Sequence, residues 1–200
     1  MRNRRSRGKL TPINNGVKIV GIDYSLCSPC VAVTTDGGLS YQAHYLTSTK
    51  KFLGDFKFGN FLIKGWEYPA WTTPEERYQG LSEWAIRLAG ASDQVMIEDY
   101  ALGAKGRVFH IGENAGLLKW KLWNLKIPFS VVGPTVLKKW ATGKGNADKE
   151  KMHAAFQQRF GVDMQARLAG REGKIGNPVS DVVDAVWLAA YGTQHTITRT

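Results

Sequence analysis

Residues 17–25 read VKIVGIDYS, a run of apolar and β-branched residues that is interrupted at Asp23. Such a run is typical of a strand buried in the middle of a sheet. A lone carboxylate at the end of a buried strand is unfavourable unless it has a partner. Because strand ends are where α/β proteins commonly bind ligands, we predict that Asp23 belongs to a functional site.

A second predicted strand also ends in acids. Residues 94–100 read QVMIEDY, in which three apolar residues lead into Glu98 and Asp99. Because neighbouring residues of a strand face opposite sides of the sheet, only one of the two can point into a site shared with Asp23. Glu98 is our candidate, and Asp99 remains its rival.

The predicted last helix carries two more acids. Residues 180–190 read SDVVDAVWLAA, apolar on nearly every side, and Asp181 and Asp184 lie three positions apart. This spacing puts both carboxylates on one side of the helix, where like charges repel and resist burial. A divalent cation would relieve the repulsion, since hard metals such as Mg²⁺ prefer carboxylate oxygens.

Each acid also has an ordinary structural explanation. Asp23 could form a turn at the end of its strand, and Glu98 could be an exposed acid at a sheet edge. The helical pair could complement the helix macrodipole, with Ser180 as the capping residue. Three segments of one basic chain show the same pattern, which favours a shared catalytic metal site.

The rest of the chain predicts an α/β fold. Turn, cap and periodicity signals give the order β-β-β-α-β-α-β-α-α-α, which fits a mixed five-stranded sheet flanked by helices. Residues 1–16 are predicted to form a disordered basic arm, and residues 17–195 a single domain. Within that domain, residues 48–71 alternate glycine, lysine and aromatic residues without a clean period and are predicted to be an irregular insert.

Charge and composition restrict the partners. The formal net charge of +10 and the pI of about 9.7 favour a polyanionic partner such as nucleic acid. No segment approaches the roughly 18 consecutive apolar residues of a membrane span, and the basic amino end lacks the apolar run of a signal peptide. We therefore expect no membrane association and a cytoplasmic protein.

The two cysteines form a lone Cys-x-x-Cys pair, Cys27 and Cys30. The pair supplies only half of a zinc site. A redox pair normally opens a helix, whereas a strand is predicted after Cys30. We expect a strand-turn-strand junction.

Four segments, taken in order, resemble the RuvC-type Holliday-junction resolvases, and the phage-type members of that family most. They are GIDYS at 21–25, IED at 97–99, PTVLKKWATGKGNADKEKM at 134–152 and DVVDAVWLA at 181–189, within a likeness that spans about residues 17–191. The resemblance implies a ribonuclease H-like fold. It also implies a structure-selective crossover junction endodeoxyribonuclease that hydrolyses branched DNA, mainly Holliday junctions.

The resemblance carries site residues with it. The family's metal-binding acids fall on Asp23, Glu98, Asp181 and Asp184, and its two catalytic-region lysines fall on Lys138 and Lys149. It implies two Mg²⁺ ions per active site, which Mn²⁺ could replace, and no small-molecule cofactor. It also implies a homodimer, which suits a two-fold symmetric junction. For a phage-encoded member, the compartment would be the bacterial host cytoplasm or nucleoid.

Two ions about 4 Å apart would generate the nucleophile and stabilise the attacking and leaving oxygens. We predict that Asp23 bridges the ions and that Glu98 completes one coordination sphere. Asp181 or Asp184 would complete the other. Lys149 would stabilise the scissile phosphate.

Further DNA contacts are predicted in two basic segments. They are Tyr100, Lys105, Arg107 and Phe109 in a glycine-rich loop, and Lys139 and Lys144 beyond it. Aromatic residues beside cations can stack on an unpaired base or wedge a junction open, and for Phe109 ordinary packing is an equally good explanation. At least two of the lysines between positions 138 and 151 are expected to form only a solvated basic face.

On the helix that follows this loop, Leu118, Leu122 and Leu125 are predicted to form the buried face. Trp120 and Trp123 then form either core or an exposed stripe, and we predict that they contribute a dimer contact.

Two other functions stay open at this stage. Another ribonuclease H-like nuclease, acting on RNA-DNA hybrids or as a transposase, would share the acids but not the lysine spacing. A junction-binding protein that does not cut DNA would need the acids only for capping and for ending strands.

Overall fold

The computed structural model of the chain describes residues 16–99, 108–170 and 173–196. These residues form seven strands: β1 (Ile19–Asp23), β2 (Cys30–Thr34), β3 (Tyr41–Leu46), β4 (Gly54–Phe58), β5 (Phe61–Trp66), β6 (Gln94–Glu98) and β7 (Phe129–Val132). They also form the helices α1 (Pro74–Ala89), α2 (Val108–Asn124), α3 (Pro134–Thr142), α4 (Lys149–Phe160) and α5 (Val179–His195). A short 3₁₀ helix covers Lys50–Phe52, and a π-helical turn covers Gln165–Ala169.

The strands form one mixed sheet in the order β4-β5-β3-β2-β1-β6-β7. Strands β1, β2 and β3 are an antiparallel meander, as predicted, and β1 pairs in parallel with β6. In that parallel pair Ile22 lies opposite Ile97, so that Asp23 and Glu98 extend past the same end of the sheet. The prediction of a mixed α/β sheet flanked by helices is confirmed.

Two predictions about the sheet are wrong: it has seven strands instead of five, and residues 48–71 are not irregular. Strands β4 and β5 form a hairpin, and β5 adds to the sheet in parallel with β3. Phe61, Ile63 and Gly65 of β5 alternate with less buried residues, which is the period of a strand. The alternation could not be recognised in the sequence, because glycine at position 65 has no apolar side chain and therefore interrupts the apolar pattern. Here it leaves room for the Phe52 carbonyl, which would lie 1.9 Å from an added Cβ.

Apolar side chains pack on both faces of the sheet. On one face α5 and α4 cover a cluster that includes Tyr45, Ile63 and Trp187. On the other face α1 and α2 cover Ile22 and its neighbours. The site described below therefore rests on a strand that is buried on both sides.

Helix boundaries follow local signals closely. Thr73 caps α1 through a complete capping box with Glu76, and Pro74 occupies the first turn. The structural alternative in which Ser180 caps the last helix is wrong, because α5 already starts at Val179 and Ser180 lies inside it. Among the helices of the described residues, none is long and apolar enough to cross a membrane.

The predicted buried face of α2 is correct for Leu118 and Leu122 and wrong for Leu125. The first two are fully buried, whereas Leu125 is 54% exposed. The helix ends at Asn124, and Lys126 adopts a positive φ of 57°, so Leu125 no longer continues the helical face.

Gly21 is a position where the fold requires the absence of a side chain. An added Cβ would lie 2.2 Å from the Ala185 carbonyl oxygen and 2.4 Å from the Ala189 nitrogen, both in the backbone of α5. The Gly21→Ala variant must therefore push α5 away from β1, and we expect it to lower the free energy of unfolding by about 1–3 kcal/mol or more. Chemical denaturation measures this. The control is Gly116→Ala on α2, where an added Cβ meets nothing within 4 Å. This variant should leave the free energy of unfolding unchanged or raise it slightly. Equal midpoints for the Gly21→Ala variant and the wild type would contradict the close contact.

Candidate active site

One cavity of about 460 Å³ opens at the end of the sheet where β1 and β6 finish. Its walls include three acids and two bases from five elements: Asp23, Glu98, Asp184, Lys138 and Lys149. Asp181 is buried on the first turn of α5, next to this group. The structure thus brings together all six residues that the sequence singled out as catalytic candidates.

The four carboxylates interact with one another. Burial raises the pKa of Asp23 well above its ordinary value. Nearby charges act on the same group, in decreasing order: Glu98, Asp181 and Asp184, which raise its pKa, and Lys149, which lowers it. Such mutual effects require the carboxylates to be close together in a region that water screens poorly.

The other three acids behave in the same way. Burial is the largest cause in each case, raising the pKa of Asp184 to about 8 and that of Asp181 to about 6. The charge of Glu98 contributes further to the raised pKa of Asp184. Burial likewise raises the pKa of Glu98, and Lys138 opposes that rise. If all four carboxylates were ionised, their charge would exceed that of the two lysines, and the raised pKa values mean that protons are held there in the absence of another cation.

Glu98 fits this cluster better than its rival Asp99. Glu98 is half-buried and interacts electrostatically with Asp23, Asp181 and Asp184. Asp99 also lines the cavity but is exposed, and its backbone N–H donates a hydrogen bond to the Val132 carbonyl.

Lys149 is held in place by polar side chains. Its Nζ donates to Ser180 Oγ over 3.1 Å and to Asn177 Oδ1 over 3.3 Å. Asn177 Nδ2 in turn donates to Ser28 Oγ over 2.5 Å, and Ser180 Oγ donates to Asp181 Oδ1 over 3.4 Å. A lysine and an acid from different helices are thereby fixed by one network.

Sequence reasoning missed Ser28 and Asn177 and saw Ser180 only as a cap. No local sequence pattern could have revealed this contact, because Ser28 and Asn177 lie 149 positions apart in the chain. Ser28 belongs to the turn between β1 and β2. Cys27 in this turn is exposed, Cys30 at the start of β2 is buried, and both are free thiols. Burial raises the pKa of Cys30 and so keeps its thiol protonated.

The remaining predicted DNA contacts are dispersed. Lys139 and Lys144 are exposed and are not in the cavity wall, and Phe109 is 84% exposed at the start of α2. Packing in the protein interior is therefore excluded as the role of Phe109. Tyr100, Lys105 and Arg107 lie outside the described residues.

The chemistry of the cluster suits a hard divalent cation. All four acids offer carboxylate oxygens, and Asp181 Oδ2 is buried without a hydrogen-bond partner among the described residues. In the same part of the chain, however, no group of three or more His, Cys, Asp or Glu side chains is already arranged to hold an ion. The donor set fits a metal, and the coordination sphere is not preformed.

Comparison with solved structures identifies the fold. The chain is similar to the structure of Thermus thermophilus RuvC, with a TM-score of 0.56 and 15% identity, over 89% of this chain and 96% of that one. It is equally similar to T. thermophilus RuvC in complex with Holliday junction substrate, with a TM-score of 0.57 and the same identity and coverage. No protein-family model and no curated protein matches the sequence. The chain therefore has the RuvC-type, ribonuclease H-like fold, as its motifs predicted.

The raised carboxylate pKa values give stability a particular pH dependence. Asp184 titrates at about 8 in the folded chain, against 3.8 ordinarily, so the folded state binds more protons between these values. Without metal, stability should therefore fall as pH rises from 5 to 8. A bound cation would remove this penalty, so Mg²⁺ or Mn²⁺ should raise Tm by more than about 3 °C at pH 8 and by less at pH 5.

Thermal melts in chelator and in metal, at both pH values, check this. Asp184→Asn should be more stable than wild type in chelator at pH 8 and should respond less to metal. Glu67→Gln, which removes an exposed acid away from the cavity, should respond as wild type does. A metal effect that is equal in all three proteins would contradict the assignment of the cluster.

Proposed function

We propose that this chain is a metal-dependent endonuclease that hydrolyses phosphodiester bonds in branched DNA, mainly four-way junctions. The observation that carries the proposal is the convergence of four mutually repelling carboxylates and two lysines around one open cavity in a basic protein. A buried cluster of this kind opposes folding unless a ligand balances its charge. Cations facing a nucleic-acid phosphate would balance it.

Asp23, Glu98, Asp181 and Asp184 would hold the metal, and two Mg²⁺ ions, with Mn²⁺ as a substitute, fit this number of oxygen ligands. When bound, such ions supply an activated water and stabilise charge on the phosphate. Asp23 would be a member of this ligand set whose charge interacts with all three other acids.

The lysines would act on the substrate phosphate. An ammonium group has three donors, and Lys149 uses two of them on Ser180 and Asn177, which leaves one for a phosphate oxygen. Lys138 lines the same cavity and offsets the charge of Glu98. Because Lys149 is tethered, it would present its charge without first losing side-chain freedom.

Branched DNA is favoured as the substrate class by the similarity to a RuvC structure described as a complex with Holliday junction substrate. A second candidate is a junction-binding protein that does not cut. The panel of substrates described below distinguishes the two.

We further propose a homodimer in which α2 provides the contact. Trp120 is 57% exposed and Trp123 is 61% exposed, and the two lie three positions apart on the helix, so they share one side of it. Exposed apolar patches of this kind commonly mark interaction sites. Two copies related by a two-fold axis would match the symmetry of a four-way junction.

A panel of substrates tests the nuclease proposal. Fluorescently labelled four-way junction, flap, RNA-DNA hybrid and duplex are incubated with Mg²⁺, Mn²⁺ or chelator, and products are resolved on denaturing gels. We expect cleavage of the junction with metal only, and a loss of more than about 100-fold in the Asp23→Asn variant with binding retained. Glu67→Gln should cleave as wild type does. Binding without cleavage under every metal condition would favour the non-cutting protein, and preferred cleavage of the hybrid would favour another ribonuclease H-like nuclease.

Sedimentation analysis tests the dimer. The double variant Trp120→Glu/Trp123→Glu should be monomeric at concentrations where the wild type is a dimer, because it buries two charges in the contact. Trp66→Glu, which changes another partly exposed tryptophan, on β5, should leave the dimer intact. A wild type that is monomeric throughout, or a double variant that still dimerises, would contradict this contact.

A further inference from the structure

A second cleft lies beside the carboxylate cavity, and we call it the side cleft. It has a volume of about 360 Å³ and is lined by Leu26, Trp71, Thr72, Thr73, Pro74, Arg77, Tyr78 and His110. Leu26 lines the carboxylate cavity as well, so the two spaces adjoin. The side cleft is therefore next to the space that a substrate phosphate would enter.

Trp71 is the main aromatic surface of the side cleft. Its side chain is 41% exposed, which is unfavourable for a large apolar ring without a partner. The ring is nevertheless held in place: the Arg77 guanidinium lies over one face of the ring, 4.6 Å from its centroid, and Tyr68 packs against it edge-on at 5.8 Å, so another flat ring would stack on the opposite face. A fixed and partly open indole is suited to receive another flat ring.

The groups that hold Trp71 are themselves tied to the turn after Asp23. Arg77 Nη2 donates to the Leu26 carbonyl over 2.6 Å, and the Tyr68 hydroxyl donates to the Cys27 carbonyl. The position of the indole relative to the carboxylate cavity is therefore set by a few residues of one turn. This gives the side cleft a defined place beside the proposed chemistry.

Charge indicates what kind of ring would bind. Within the described residues, Arg77 forms no salt bridge with an acid, and its Nε has no hydrogen-bond partner. Glu76, on the same helix turn, already accepts hydrogen bonds from Thr72 and Thr73 in the capping box. A cation beside an open aromatic ring is the combination that binds unpaired nucleotides, the base by stacking and the phosphate by charge.

We propose that the side cleft binds an unpaired nucleobase of the DNA strand whose phosphate occupies the carboxylate cavity, with Trp71 as the stacking surface and Arg77 as the cation beside it. This inference rests on the proposed function and makes it more specific. A base inside a duplex cannot enter the cleft without losing its partner and its stacking neighbours, which takes a few kcal/mol. The side cleft therefore selects branched DNA with unpaired nucleotides near the scissile phosphate over intact duplex.

The chain offers a matched control in Trp66. It is also 41% exposed, and a cation, Lys64, lies 4.7 Å from its ring. It lies on β5, however, where its Nε1 donates to His44 Nδ1, and it is not in the wall of either the carboxylate cavity or the side cleft. Replacing Trp66 therefore removes a tryptophan of the same exposure, also next to a cation, but away from both the carboxylate cavity and the side cleft.

The test is equilibrium binding in chelator, where metal-dependent cleavage is blocked. Fluorescence anisotropy gives Kd for wild type, Trp71→Ala, Trp71→Phe and Trp66→Ala with two DNAs of equal length: one carries unpaired nucleotides at a branch, and the other is a perfect duplex. We expect Trp71→Ala to weaken binding of the branched DNA by about 5- to 150-fold and to leave duplex binding unchanged. Trp71→Phe should restore most of the loss, and Trp66→Ala should bind as wild type does.

A 2-aminopurine at the unpaired position adds a direct signal. Its fluorescence should be quenched on binding to wild type and to Trp66→Ala, and not on binding to Trp71→Ala. Equal weakening of both DNAs by Trp71→Ala, or no weakening at all, would overturn the side cleft as a base site, as would quenching that survives in Trp71→Ala. Because these measurements need no cleavage, their failure leaves the nuclease proposal intact, and absence of cleavage in the substrate panel leaves the base site intact.

Discussion

The close contact between α5 and β1 at Gly21 is the constraint on which the rest of the structure depends. Without a Cβ at this position, the α5 backbone at Ala185 can lie directly against the strand. Asp184 is the residue before Ala185, and Asp23 lies two residues after Gly21. The same apolar contact that stabilises the sheet therefore brings an acid of the last helix to the end of the first strand.

Apolar packing thus assembles a group of charges that would separate if left to itself. Asp23, Asp181 and Asp184 repel one another in a poorly solvated region, and burial raises the pKa of each. The apolar core on both faces of the sheet supplies the free energy that offsets this repulsion. A cation that enters the cluster would recover part of it, which links metal affinity to the rigidity of the β1 and α5 contact.

Sequence patterns predict the parts of this arrangement that are local. The apolar run ending at Asp23 and the helical spacing of Asp181 and Asp184 are visible in a few residues, and each segment has its predicted form. Strand β5 could not be predicted in the same way, because its buried Gly65 is explained only by the Phe52 carbonyl that packs on it. The polar network around Lys149 was also beyond prediction, since it joins positions far apart in the chain. The catalytic roles of the acids remain predictions.

The turn between β1 and β2 connects the two spaces at the end of the sheet. Its Ser28 side chain bonds to Asn177 and so to the tether of Lys149, while its Leu26 carbonyl accepts from Arg77 beside Trp71. The turn that contains Cys27 thus contacts residues of both the carboxylate cavity and the side cleft. A change in the turn would move the lysine and the indole together, because both are attached to the same few residues. The positions of Lys149 and Trp71 are therefore coupled through this turn.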